Sequence, residues 1–417
     1  MNKNIYRFLL SLLVIITLST CKSRTVENFT TVTLSGWQSN PNEQQLLDRV
    51  LKKFEAENPN IKVKYEVINE QYMDVIKTRL IGDAAPDVFY LDSFEAPLLM
   101  KYEVLEPLDS YITAKFDLDD FEPSLLKAFR YNGKIYGLPK DFATLALFYN
   151  KKAFAEVGLS QPPQTWEELR DYSQKLTIDK NRDGRIDRYG FCIIPELSRQ
   201  YFMIKAFGGQ LIDRNGYAAF ATPDSLKGLE LLINQYRKER TAAQPTDVGA
   251  DSCSEMLGQG KTVMAIEGSW AIPFLKETFP KVEFAIAEVP PVNEKEGTMA
   301  YTVAYVMNKQ AQHKEAAWKL IAYLTGKQGM KAWASQGLAI PTRKSVLNEL
   351  NYSENSLYTP FVEGAKYATI WQSGENLPTI LTHFNNQFIS ALIGEQSLQD
   401  AMLKAQNTAN REILAAK

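Results

Sequence analysis

From Thr31 onward, apolar and polar positions along the chain fall into a regular pattern. Val32 and Leu34 alternate with polar neighbours into Gly36-Trp37, which predicts a strand ending in a loop. Leu46, Leu47, Val50, Leu51 and Phe54 then recur at helical spacing over 42–58, and Asn58-Pro59 ends that helix. Ile61, Val63, Tyr65 and Val67 alternate strictly, giving a second strand. A helix over 70–82, a turn at Gly82-Asp83-Ala84-Ala85-Pro86 and the apolar run Val88 to Leu91 complete β-α-β-α-β. That order predicts an α/β fold with a largely parallel sheet and right-handed crossovers. Ligands of such sheets bind beyond the carboxyl ends of the strands, positions held here by Trp37 and Asp92.

A second block begins near Phe142. Ala143 to Tyr149 is strand-like, and Thr165 with Glu168 forms a capping-box signature opening a helix. A strand over Tyr189 to Ile194 follows, then a helix leading to Gly208-Gly209, a helix at 223–239 and a strand around Val263 to Ile266. The tail from 378 to 416 is helical, broken at Gly394. No internal repeat or long Gly/Ser linker separates the blocks. At 417 residues the chain exceeds one ordinary core, so two lobes joined by short hinges are expected. The formal charge of −2 gives no basic stripe for nucleic acid. With 6 Trp and 20 Tyr, the chain is well supplied with rings that can stack on flat ligand faces.

Lys3 and Arg7 precede the apolar run Phe8 to Leu18, as in a secretory signal over 1–20. The stretch Leu18-Ser19-Thr20-Cys21 resembles a bacterial lipobox, which implies lipid on Cys21 and a tether over 21–30 attached to the membrane. Thr20 departs from the usual Gly, Ala or Ser; an unlipidated signal peptide or an uncleaved anchor helix are the alternatives. All three place the body outside the cytoplasm. No later run approaches about 18 apolar residues. Export permits a disulfide between Cys192 and Cys253, while their surroundings equally suit two buried thiols. Neither has a Cys or His at metal spacing, and His313 and His383 are the chain's 2 histidines.

The loop Asp179, Asn181, Asp183, Arg185 and Asp187 places oxygen groups at alternate positions around Gly184, like an EF-hand loop, with Arg185 offering its backbone carbonyl. Position 12 is Gly190, where a bidentate Glu is expected. The readings are a structural Ca²⁺ site or an Asx-rich turn without metal. Gly260-Lys261-Thr262 lacks the earlier Gly of a phosphate-binding loop, its place being taken by Glu255. Ser124-Leu125-Leu126-Lys127 lacks the partner motifs of penicillin-recognising enzymes. Nothing singles out a catalytic pair, so no enzyme is expected.

Gly36-Trp37, Asn58-Pro59, Pro86-Asp87-Val88, Tyr136-Gly137-Leu138-Pro139, Leu147 to Lys151, Pro163 to Leu169, Gly208-Gly209, Gly268-Ser269-Trp270 and Ile340-Pro341-Thr342-Arg343 follow one another in order. Together they resemble the extracellular solute-binding proteins of carbohydrate ABC transporters, the maltose-binding group, across nearly the whole mature chain. The resemblance implies a two-lobed, class II periplasmic-binding-protein-like fold, each lobe a mainly parallel sheet flanked by helices. It puts crossings near Asp141–Thr144, Thr298–Tyr305 and Arg343–Leu350. Lobe one is then 31–142 with 303–343, and lobe two 143–299 with 344–417.

A sugar needs aromatic planes for its ring face and charged or amide groups for its hydroxyl rim. The family's cleft implies Trp37, Asp92 and Arg343 from lobe one, Tyr201 and Trp270 from lobe two, Asp141 and Tyr301 near the hinges, and Trp371 from the C-terminal segment. The function implied is capture of a sugar by lobe closure in a monomer that then docks on an ABC permease. A ligand-presenting sensor subunit and an exported two-carboxylate carbohydrate enzyme are the alternatives.

Overall fold

A computed structural model describes residues 29–38, 41–337 and 339–416; the signal, lipobox and Cys21 lie outside the described residues. Twelve strands are described: β1 (Thr30–Gly36), β2 (Ile61–Val67), β3 (Val88–Asp92), β4 (Arg130–Tyr131), β5 (Lys134–Ile135), β6 (Gly137–Asn150), β7 (Tyr189–Cys192), β8 (Ala242–Ala243), β9 (Thr262–Gly268), β10 (Phe284–Ala287), β11 (Met299–Met307) and β12 (Thr369–Ile370).

The helical face read from the sequence is the buried face of the helix Pro41–Glu57: Leu46, Leu47, Val50, Leu51 and Phe54 are all buried in the first core. Full burial of each such side chain stabilises by roughly 1.5–3 kcal/mol. Thr165 caps its helix by accepting the Glu168 N–H at 3.1 Å, but Glu168 takes the Gln164 N–H, one residue earlier than a capping box requires. The helix expected over 223–239 is α-helical only over Pro223–Ile233 and widens into a π-helical turn at Asn234–Lys238, where Gln235 is buried.

Strand pairing runs unbroken in the order β2-β1-β3-β11-β6-β9-β7-β8. β1, β2 and β3 are mutually parallel, as are β7, β8 and β9. Between these triplets lie β6 and β11, antiparallel to each other and to their outer neighbours. β6 has 14 residues, far above an ordinary strand, because it serves both halves. Residues Gly137 to Thr144 pair with β11, and Leu145 to Tyr149 pair with β9.

Separate cores flank this seam. One gathers Val32, Phe54, Phe89, Leu138, Val306 and Leu320; the other gathers Leu145, Trp166, Phe191, Leu232, Met299 and Phe384. They are joined by the crossing strands, whose buried hydroxyls are satisfied locally, and by a third apolar cluster that gathers Leu125, Phe142 and Ile340 with Leu257, Ala271 and Leu275. Thr302 donates to the Asp141 carbonyl, Thr298 to that of Leu145 and Thr144 to that of Phe361, each at 2.8 Å. The open question at Cys192 and Cys253 is answered by a disulfide, with Cα atoms 5.7 Å apart.

Candidate ligand cleft between the halves

The carboxyl ends of both parallel triplets point toward the seam. On the first side, Gly36 ends β1 directly beneath the Tyr90 ring: an added Cβ would meet ring atoms at 2.6 Å, so only glycine fits. Trp37 follows, half-buried, its ring edge-on to Tyr72 (4.9 Å) and Tyr90 (5.3 Å).

Asp92 ends β3. Asp92, Val303 and Asp141 are paired in register across β3, β11 and β6, which puts their side chains on one sheet face. The register slips between Val303 and Ala304, leaving Lys140 as the extra residue of a β-bulge. The bulge turns Lys140 inward, where its buried ammonium pairs with Asp141 and lies 4.0 Å from the Trp333 ring centre and 4.7 Å from that of Tyr90. Trp333 Nε1 donates to Asp141 at 2.8 Å. Asp141 thus takes both donors on Oδ2. Asp92 takes none: no described residue donates to its carboxylate. Burial, then the Glu95 and Asp141 charges, push its pKa up to about 7 despite Lys140.

On the second side, a hollow of about 620 Å³ opens beyond β7, β8 and β9, walled by Glu196, Arg199, Gln244, Glu267 and Trp270. Trp270 follows β9 and folds its ring back over Gly268, where an added Cβ would strike it at 2.2 Å. The Tyr301 ring lies 6.3 Å from that of Trp270, and the Arg199 guanidinium 5.5 Å from it. Arg199 pairs with buried Glu267 at 3.2 Å. Burial works against the Arg199 charge, but Glu267, Tyr301 and Glu196 more than offset it and hold its pKa above the ordinary value. The Tyr301 hydroxyl donates to the Ser198 carbonyl at 2.7 Å, and burial pushes its pKa up to about 12. One turn along the same helix, Leu197–Ala206, Tyr201 stands edge-on to Trp371 at 6.4 Å.

Trp37, Asp92, Asp141, Tyr201, Trp270 and Tyr301 therefore gather about the seam. Trp371 joins them from behind, buried, its carbonyl accepting the Ser93 hydroxyl at 3.1 Å. Arg343 does not join. It is buried between the Phe116 and Phe121 rings, and its guanidinium donates to the carbonyls of Thr325 (2.7 Å), Asp117 and Phe116 (both 3.0 Å) and pairs with Asp120 (3.3 Å). Three of these four contacts hold the 116–120 loop and the side chain is buried, so a ligand role for Arg343 is set aside in favour of a structural one. Lys140, Trp333, Arg199 and Glu267 were missed by sequence reading. Lys140 beside Asp141 was the one visible clue; Arg199 sits inside a helix whose spacing carries no sign of it.

The loop 179–187 is closed by Ile178 pairing with Arg188. Its side chains accept backbone N–H groups: Asp179 from Gly184 (2.9 Å), Asn181 from Asp183 (3.2 Å), Asp183 from Arg185 (2.8 Å) and Asp187 from Lys180 (2.7 Å). Asp179 Oδ1 is buried without a partner. Among the described residues no group of three or more His, Cys, Asp or Glu converges as a metal site.

Two α/β bodies on shared crossing strands, with aromatic and charged groups facing each other across the seam, define a two-lobed binding protein. The sequence profile of the bacterial extracellular solute-binding proteins matches residues 39–331, and the chain belongs to that family. It is similar to a binding protein of Brucella abortus (26% identical over 370 residues; 86% of this chain, 87% of that one). It is also similar to the maltotriose-binding protein of Pyrococcus abyssi (25% over 342 residues; 79% of this chain, 70% of that one). The ABC substrate-binding protein of Listeria monocytogenes, solved in complex with cycloalternan, superposes with a TM-score of 0.84 at 22% identity (92% of this chain, 99% of that one).

Proposed function

We propose that this protein captures a sugar or oligosaccharide between its lobes and delivers it to an ABC transporter permease. The observation that carries the reading is that a carboxylate with no described donor, Asp92 at the end of β3, and an aromatic plane, Trp270 after β9 and flanked by the Arg199–Glu267 pair, stand on opposite sides of the seam. A pyranose presents hydroxyl donors to the one and a weakly apolar face to the other. Trp37, Tyr201 and Tyr301 complete the contacts. Lys140 and Asp141 act as positioning residues, with Trp371 backing Tyr201. The lobes are 31–142 with 303–343 and 143–299 with 344–417, although Val346 still packs on the first core. Closure follows because a ligand touching both lobes favours the state in which both contacts are made. The maltotriose named for the Pyrococcus relative and the cycloalternan of the Listeria complex support a carbohydrate ligand.

Export with a lipid on Cys21 keeps the monomer beside its permease. The free Asp179 Oδ1, with Asn181, Asp183, Asp187 and the Arg185 carbonyl, suits a structural Ca²⁺ that pins the loop. Calcium raising the melting temperature, with Asp179→Ala abolishing the rise, is the expected result; no rise counts against the ion.

The test of the main reading is calorimetric titration of the mature protein with mono-, di- and oligosaccharides, alongside small-angle scattering. A micromolar Kd, about −8 kcal/mol, with a smaller radius of gyration is expected. No saturable sugar and no compaction would remove the proposal.

A further inference from the structure

The walls of the hollow on the second side are unbalanced in charge. Three carboxylates, Glu196, Asp251 and Glu267, line it with one guanidinium, Arg199. Arg199 is committed inside the protein: it pairs with Glu267 at 3.2 Å and donates to the Ile266 carbonyl at 3.4 Å. Glu196 and Asp251 are exposed. The Glu196 carboxylate accepts the Ser198 hydroxyl at a long 3.5 Å. No described residue donates to the carboxylate of Asp251, although its N–H is held by Glu255 at 2.8 Å. Across the seam Lys140 is taken up in the same way by Asp141, while Asp92 has no donor. Both named cations are thus paired internally, whereas Asp92, Glu196 and Asp251 are not.

The floor of the same hollow holds an unpartnered polar group. The bridge Cys192–Cys253 ties the helix Cys253–Gly258 to the end of β7, and Ser254 on that helix lines the hollow. The residue is 4% exposed, yet its hydroxyl has no hydrogen-bond partner among the described residues. A buried hydroxyl in that state is unfavourable unless something entering the hollow meets it. Trp270 and Phe274, both half-buried, supply the aromatic wall. Closure of the lobes takes these groups out of water. Carboxylates that lose hydration without a counter-charge oppose closure. A cation brought by the ligand offsets that loss, and aromatic faces attract it as well.

We propose that the sugar captured here carries a protonated amine, its ammonium met by the Asp251 and Glu196 carboxylates with the Ser254 hydroxyl as a further acceptor, so that the physiological ligand is an amino sugar. The proposal rests on the sugar-binding reading above and narrows it from sugars at large to cationic ones. A neutral sugar offers these carboxylates hydroxyl donors but no charge, and closure over it buries them uncompensated.

The experiment is calorimetric titration of the mature protein with matched pairs that differ only in an ammonium or a hydroxyl at C2: glucosamine and glucose, galactosamine and galactose, fully deacetylated chitobiose and cellobiose. Spermidine serves as an amine without a ring. In at least one pair the amine binds about tenfold more tightly or better, as a hydrogen bond to a charged group warrants, and the advantage shrinks as salt is raised. The double variant Asp251→Asn with Glu196→Gln, at two exposed positions, keeps its melting temperature and cuts the amine-to-hydroxyl affinity ratio at least fivefold. A ratio that the double variant leaves intact overturns the proposal, and so does spermidine binding as tightly as the amino sugar, since charge alone then suffices. If neutral sugars bind as tightly as their amines in every pair, the amine proposal alone falls; if no sugar binds, neutral or amino, the sugar-binding reading falls with it.

Discussion

The two sides of the cleft solve the same problem differently. On the first side the charges are interlocked. Lys140 is turned in by a bulge, paired with Asp141, covered by Trp333 and Tyr90, and Asp141 is bonded again to the Trp333 indole. On the second side the charged pair Arg199–Glu267 lines an open hollow with Trp270 at its edge. The first side is thus committed before any ligand arrives, leaving Asp92 as its free acceptor, while the second presents surface for contact. Preorganisation on one wall and accessible area on the other lets closure be driven by the ligand instead of by lobe-to-lobe attraction.

Breaking the committed side gives the largest effect. Lys140→Met strands the Asp141 charge in a buried site, and loss of one partner of such a pair costs about 3–5 kcal/mol in denaturant unfolding. The paired change Lys140→Met with Asp141→Leu recovers most of it; equal losses in single and double variants would contradict the interlock. On the other side, Cys192→Ser with Cys253→Ser opens a bridge across 61 residues of chain that ties the end of β7 to the helix at the floor of the hollow. A stability loss of about 2–4 kcal/mol is expected, and reduction of the native protein reproduces it. Trp270→Ala then removes the contact plane: binding weakens by about 2 kcal/mol, roughly 30-fold, while the melting temperature shifts little, since the ring is half-exposed. A variant that loses fold and affinity together counts against Trp270 as a contact.

This contrast also explains what the sequence disclosed. The helix Pro41–Glu57 and the strands β1 to β3 were legible because one-sided burial imposes a period, and that period survives in the residues. Trp37 and Trp270 were singled out because each follows the end of a predicted strand and falls within a stretch that resembles the family; the close approach of a ring to Gly36 and Gly268 shows only in the structure. The long strand β6 was not read as one unit. Pro139 interrupts its strand pattern and the bulge at Lys140 shifts the alternation, so its two halves looked like separate pieces. Arg343 shows the opposite failure: an arginine beside a crossing carries the same sequence signal whether it faces ligand or is clamped between Phe116 and Phe121. Only tertiary contacts separate these cases.

The smallest effect tests whether Asp92 really is the free acceptor of the committed side. Its folded pKa near 7 stands above the ordinary carboxylate range, so between roughly pH 4 and 7 the native state keeps a proton that the unfolded chain has released. Stability contributed by Asp92 therefore falls as pH rises through that window and levels off above it. Ligand binding runs the other way, because hydroxyl donors favour the ionised carboxylate. Sugar affinity should climb about tenfold between pH 6 and pH 8, with proton release on binding near neutrality. Asp92→Asn, which cannot ionise, flattens the profile and abolishes the proton release. A wild-type affinity indifferent to pH, or a slope that persists in Asp92→Asn, would assign the free-acceptor role to another group and make the two walls of the cleft more alike than their geometry indicates.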